Sequence, residues 1–291
     1  MADARPIGIL DSGIGGLSVL DEITRRLPSE STVYLADTLR APYGTRSDEE
    51  ILGLSRESLG FLVEQDVKAV VVASGTLTAV ALRDLRREVD VPIIGAVQAG
   101  AAAAARATRT RRVGVIGSTA TIRSHAWFHA LKDENPAIEV VELATPAIGA
   151  LLSAGRVSGA DAERVVAEAL APIEGIDTLA LGGSGYPLLR PLIQAAIGER
   201  VAIVDSVLGM ATAIVELLSV NGIEAPGSSR GTAADPGREG HDRPAGRGGI
   251  ATHVLYVNGD VAAFRALADR LFGVADRDVR RVPDRAPSIT Q

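Results

Sequence analysis

Short apolar runs alternating with amphipathic stretches constrain this chain more than any other feature. Residues 6–10, 69–73, 113–116, 139–143, 178–181 and 201–204 are mostly rich in Val or Ile and bounded by turn residues. Central parallel strands, buried on both faces, have this signature. Between them, residues 49–65 carry Leu59, Leu62 and Val63 at i, i+3, i+4 spacing, and residues 158–173 and 206–219 repeat the helical pattern. The alternation predicts an α/β fold with parallel sheets, helices flanking them and right-handed crossovers. At roughly 100–200 residues per domain, a 291-residue chain suffices for two domains or one large one.

Ligands of such sheets sit beyond the carboxyl ends of the strands. Here those ends read Asp11-Ser12-Gly13-Ile14-Gly15-Gly16, Ser74-Gly75-Thr76, Gly117-Ser118-Thr119-Ala120-Thr121, Gly182-Gly183-Ser184-Gly185-Tyr186 and Asp205-Ser206. Small polar residues at five strand ends predict one shared pocket made of hydroxyls and backbone N–H groups. The first loop is not a dinucleotide or phosphate loop. Ser18 stands where a third glycine belongs, and no lysine follows. It reads either as an Asp and a Ser at a helix N-terminus able to hold a carboxylate, or as a plain N-cap and turn.

His125 and His129 stand at i, i+4 on a predicted helix, but no Glu lies between them, so a packed or surface pair is expected and no metal site. Gly183-Ser184-Gly185 lacks the spacers of a nucleophile elbow. Residues 225–249 contain seven glycines and three prolines and no large apolar residue, which predicts a flexible insertion. A strand at 252–257 and a helix at 261–272 follow, and the charged tail after Asp276 reads as frayed.

The net charge is -6 and aromatics make up 3%, so neither a polyanion surface nor a stacking platform for nucleic acid is expected. There is no secretion signal, and no apolar run is long enough to span a bilayer, so a cytoplasmic protein without membrane contact is expected. The chain has no cysteine, which excludes disulfides, thiolate metal sites and cysteine nucleophiles.

Ile7 through Leu17, Asp37-Thr38 with Pro42-Tyr43-Gly44, Gly117 to Ile122, Asp205-Ser206 and residues 254–273 occur in an order that resembles the glutamate racemases of the aspartate/glutamate racemase family. The resemblance spans nearly the whole chain except 225–249. It implies two pseudosymmetric α/β domains, 1–97 with 209–291 and 98–208, facing each other across a ligand cleft, and a homodimer. It implies cofactor-independent inversion of an amino-acid α-carbon between two cysteines, one taking the proton and the other returning one. It assigns substrate contacts to Asp11, Ser12, Pro42, Tyr43, Gly44, Ser74, Gly75, Thr76, Ser118, Thr121, Gly183, Ser184 and Gly185. The ligand is then a small amino acid or dicarboxylate.

The resemblance also places the family's two cysteines at Ser74 and Gly183, its asparagine at Gly75, its histidine at Gly185, and a glutamate at Ser153. Loss of the larger side chains at Gly75 and Gly185 predicts an enlarged pocket. A thiol with a pKa of about 8.5 can be tuned into a base, whereas a serine hydroxyl needs an adjacent activator. Ser74, at the first cysteine position, and Asp11 are the catalytic candidates that remain, with Asp11 the best activator of Ser74 by family geometry. The leading expectation is a homologue that keeps the acid pocket and does not racemise. The alternatives are a cofactor-independent enzyme with diverged chemistry on a carboxylate substrate, and a residual glutamate racemase.

Overall fold

The structure is a computed structural model and describes residues 2–227 and 251–283. The order begins β1 (Ile7–Asp11), α1 (Leu17–Arg26), β2 (Thr32–Ala36), α2 (Asp48–Glu64), β3 (Ala69–Val72), α3 (Gly75–Glu88), β4 (Ile93–Gly95) and α4 (Ala96–Ala107). It continues through β5 (Arg112–Gly117), α5 (Thr119–Arg123), α6 (Ala126–Glu134), β6 (Glu139–Ala144), α7 (Pro146–Ser153), α8 (Ala160–Leu170), β7 (Thr178–Leu181), α9 (Arg190–Ile197), β8 (Ala202–Val204) and α10 (Val207–Asn221). After the insertion come β9 (His253–Val257), α11 (Val261–Phe272) and β10 (Asp278–Arg281).

The strands form two parallel sheets, ordered β10-β9-β2-β1-β3-β4 and β6-β5-β7-β8. The cores β2-β1-β3-β4 and β6-β5-β7-β8 have the same order, which is the two-domain α/β architecture of the expectation. β1 pairs with β2 on one side and β3 on the other, and β5 likewise with β6 and β7. Each central strand is therefore a topological switch point, where the chain turns to opposite sides and leaves a crevice at the carboxyl end.

Local chemistry explains the elements. β1 and β3 are buried throughout and apolar except for Asp11 at the end of β1, and the large sheet carries apolar layers on both faces. At about 1.5–3 kcal/mol per fully buried large aliphatic side chain, these layers dominate the stability. α2 opens on a capping box in which Ser47 and Glu50 each satisfy the other's backbone N–H. No helix among the described residues is long and apolar enough to cross a membrane.

Three sequence expectations change. β2 and β4 were not predicted; both are short, and β2 earns its place by burial on both faces rather than by an apolar run. The tail is not frayed at its start, because β10 pairs in parallel with β9. Its exposed charged residues suit an edge strand, where they discourage further pairing. His125 does not share one helix with His129. It sits before α6 in the left-handed region with φ 53°, and its Nδ1 lies 2.6 Å from Glu142 Oε2. The expected insertion falls almost wholly outside the described residues.

Candidate functional site

The two switch points face each other across a cleft of about 1020 Å³. Four of the five predicted strand ends line it: those of β1, β3, β5 and β7. The fifth does not. β8 is an edge strand, and Asp205 beyond it pairs with Arg190 at 2.6 Å in a separate hollow behind the cleft.

Asp11 ends β1 at the floor and is 1% exposed. Its Oδ2 accepts from the Gly16 N–H at 2.8 Å, and its Oδ1 accepts from the Ser184 hydroxyl at 2.9 Å. The start of α1 is thus already occupied by Asp11 and is not an open carboxylate seat. Burial raises the Asp11 pKa above the ordinary carboxylate range, against the pull of the Gly16, Ser184, Ser12 and Tyr34 donors. Among the described residues, no Arg, Lys or His lines the cleft. Asp11 is therefore a buried carboxyl without a cation.

Ser74 caps α3. Its Oγ accepts from the Leu77 N–H at 3.4 Å and lies 3.2 Å from Ser12 Oγ. Asp11 is not among its partners, so the activator expected for Ser74 is bonded elsewhere. Across the cleft, Thr76 Oγ1 lies 2.9 Å from Ser118 Oγ and 3.2 Å from Thr121 Oγ1, and the last two are 2.9 Å apart. Thr76 and Ser118 line the cleft and can donate their hydroxyls to a carboxylate, whereas Thr121, expected to touch the ligand, is fully buried outside the lining, with its hydroxyl meeting Thr76 and Ser118.

The domains meet through backbone at the floor. A Cβ on Gly75 would overlap the Gly182 carbonyl, and one on Gly15 would overlap the Ser184–Gly185 peptide. A Cβ on Gly44 would lie 2.5 Å from Ser118 Cβ, and the Ala120 N–H donates to the Gly44 carbonyl at 2.9 Å. The small residue at 75 thus lets the domains touch and does not enlarge the pocket. Gly185 borders Leu152, whose Cδ1 a Cβ there would meet at 3.3 Å. Gly183 faces Tyr186, with a Cβ at 2.6 Å from its ring. Pro42 lines the cleft beside Tyr43.

Tyr43 holds no ligand with its hydroxyl, which it donates to Asp37. Asp37 follows β2 and also accepts from Arg40, Ser58 at 2.9 Å, and Asn258. Burial works to raise the Asp37 pKa, but the Arg40, Tyr43 and Asn258 donors outweigh it and hold the carboxyl below its ordinary range. In the sequence Asp37 stands out only as part of a motif; Arg40 and Tyr43 belong to its own loop, but Ser58 and Asn258 come from distant segments. Ser153, where the resemblance places a glutamate, lines the cleft with its hydroxyl donated to the Gly149 carbonyl of its own helix at 3.0 Å.

With this geometry in view, comparison with known proteins gives one answer. The model of the Asp/Glu/Hydantoin racemase family matches residues 7–214. The chain belongs to that family. A glutamate racemase of Lactococcus lactis subsp. cremoris is 39% identical over 273 residues, 94% of this chain and 93% of that one. A glutamate racemase isoform from Bacillus anthracis superposes with a TM-score of 0.84 at 34% identity, covering 96% of this chain and 97% of the other. A Francisella tularensis glutamate racemase, solved in complex with D-glutamate, matches at a TM-score of 0.82 and 28% identity, covering 97% and 98%. This racemase-family chain contains no cysteine.

Proposed function

We propose that the cleft binds a glutamate-like amino acid or dicarboxylate and does not invert it by a two-thiol route. The reading rests on one observation. Where the family resemblance places two thiols, this chain has Ser74, a helix cap bonded to Leu77 N–H and Ser12, and Gly183, which has no side chain. An α-proton is weakly acidic, so removing it near neutral pH needs a base poised close by. A serine hydroxyl without an adjacent base does not supply one.

The binding half of the reading draws on the hydroxyls of Thr76 and Ser118, oriented by the buried Thr121, with Ser12 and Ser184 on the other flank and Asp11 toward an ammonium. Gly44, Gly75, Gly183 and Gly185 shape the surrounding backbone. The D-glutamate complex of the Francisella tularensis relative supports the ligand class. The domains divide on this reading at 97/98 and 208/209.

A second reading keeps one base. Asp11 is buried in the cleft without a cation and with its pKa raised, as a single general base would be. It could exchange one face of a substrate and could not invert it alone.

Calorimetric titration with L-glutamate, D-glutamate and glutarate, together with polarimetry on both glutamate enantiomers, tests the proposal. Saturable binding without change of rotation is expected. Racemisation at an enzymatic rate would remove the proposal, as would failure of all three acids to bind.

A further inference from the structure

Asp11 lines the cleft, yet it is only 1% exposed. Two unlike sets of groups cover it. On the Oδ2 side stand groups of its own half of the fold. The Gly16 N–H donates at 2.8 Å, and Tyr34 Oη stands at 3.4 Å, with a closer acceptor for its one hydrogen in the Gly13 carbonyl at 2.8 Å. The Ser12 N–H adds a donor from the same loop. These groups belong to β2 and to the loop between β1 and α1, and β1 and β2 are paired along their length. They stay in place unless the sheet itself comes apart.

Oδ1 is held differently. Its partner is the Ser184 hydroxyl at 2.9 Å, from the loop after β7 in the four-stranded sheet. Among the described residues this is the one hydrogen bond that Asp11 makes to the other half of the fold. The hydroxyl reaches it over bare backbone, since a Cβ on Gly15 would lie 2.6 Å from Ser184 Oγ. Ser184 is half-buried, and its hydroxyl leaves Asp11 by rotation about one side-chain bond or by parting of the two halves. A ligand ammonium needs a carboxylate oxygen at about 2.7–2.9 Å. Oδ2 is enclosed by its own half. Oδ1 remains, and Ser184 occupies the approach to it.

We infer that Ser184 is an autoinhibitory latch: in the ligand-free cleft its hydroxyl holds Asp11 Oδ1, and an acid that carries an ammonium must displace it to bind. The inference rests on the cleft being an acid site, as proposed above. The ammonium wins the exchange because it brings a full charge to a buried carboxyl that has no cation, but breaking the Ser184 bond subtracts from its affinity. An acid without an ammonium makes no use of Oδ1 and leaves the latch closed.

Calorimetric titration of the native chain, Ser184→Ala and Ser184→Thr with L-glutamate and with glutarate tests the latch. The readout is the ratio of the two affinities, because any hold of Ser184 on a ligand carboxylate acts on both acids alike and cancels. The ratio in favour of L-glutamate is expected to rise about fivefold or more in Ser184→Ala, and to stay at the native value in Ser184→Thr, which keeps the hydroxyl. An unchanged or lowered ratio in Ser184→Ala overturns the inference and leaves the acid-binding reading standing. A raised ratio that Ser184→Thr shares overturns it as well, because the hydroxyl is then not what matters. Failure of the native chain to bind either acid overturns the acid site and, with it, this inference.

Discussion

Two buried aspartates sit at the carboxyl ends of neighbouring strands, and they are held in opposite ways. The Asp37 N–H donates to the Asp11 carbonyl at 2.9 Å, so the residues share one corner of the sheet. Asp37 is surrounded by Arg40, Tyr43, Ser58 and Asn258, all from its own half of the fold, and its pKa is held down. Asp11 has hydroxyl and N–H donors, one of them reaching across from the other domain, and no cation, and its pKa is pushed up. The first arrangement is complete without a ligand and holds the loop that carries Pro42 and Gly44. The second keeps its charge uncompensated in a cleft, where a ligand ammonium would compensate it.

The comparison breaks most visibly at Asp37. Asp37→Ala leaves Arg40 without its buried partner, and a loss of about 3 kcal/mol in urea unfolding is expected. Because its folded pKa is lowered, that contribution is present above the unfolded value of about 3.9 and is lost as pH falls through the folded pKa. The cost of Asp37→Ala should therefore shrink in acid.

Gly75→Ala tests the floor. Its Cβ would overlap the Gly182 carbonyl, so the domains must part. About 2 kcal/mol of destabilisation is expected, in the range of overpacked sites, together with weaker acid binding by calorimetry. An unchanged melting temperature and affinity would mean that the floor does not close by backbone contact.

Asp11→Asn reports the smallest effect and the opposite sign. The raised folded pKa means that the Asp11 contribution is present below about pH 3.9 and is lost as pH rises through the folded value. Melting curves of the native chain and Asp11→Asn should diverge in the variant's favour as pH is raised. The same variant should bind acids bearing an ammonium less well than plain dicarboxylates, relative to the native chain.

Much of this was legible in the sequence. Period and strand-end chemistry identified seven of the strands and the Asp11, Ser74, Ser118 and Ser184 loops, because β-branched runs bounded by small residues carry their own signal. The Thr32–Ala36 strand was not seen, since Thr and Tyr in five residues give too short a pattern. The Asp205 loop was misplaced because the strand-end rule does not separate an edge strand from a switch point. The approach of Gly75 to Gly182 and the reach of Ser58 and Asn258 to Asp37 depend on how distant segments meet. No local pattern encodes those meetings.

The central claim is that this cleft holds an acid and does not invert it. Incubating the protein in deuterated water with L-glutamate and separately with D-glutamate, and following the α-proton by NMR, tests that claim at the bond concerned. The α-proton of both enantiomers is predicted to persist at the rate of the protein-free control, in the native chain and in Ser74→Ala alike. Loss of the α-proton from one enantiomer alone would point to Asp11 acting as a single base. Exchange in both, with each enantiomer appearing from the other, would contradict the account.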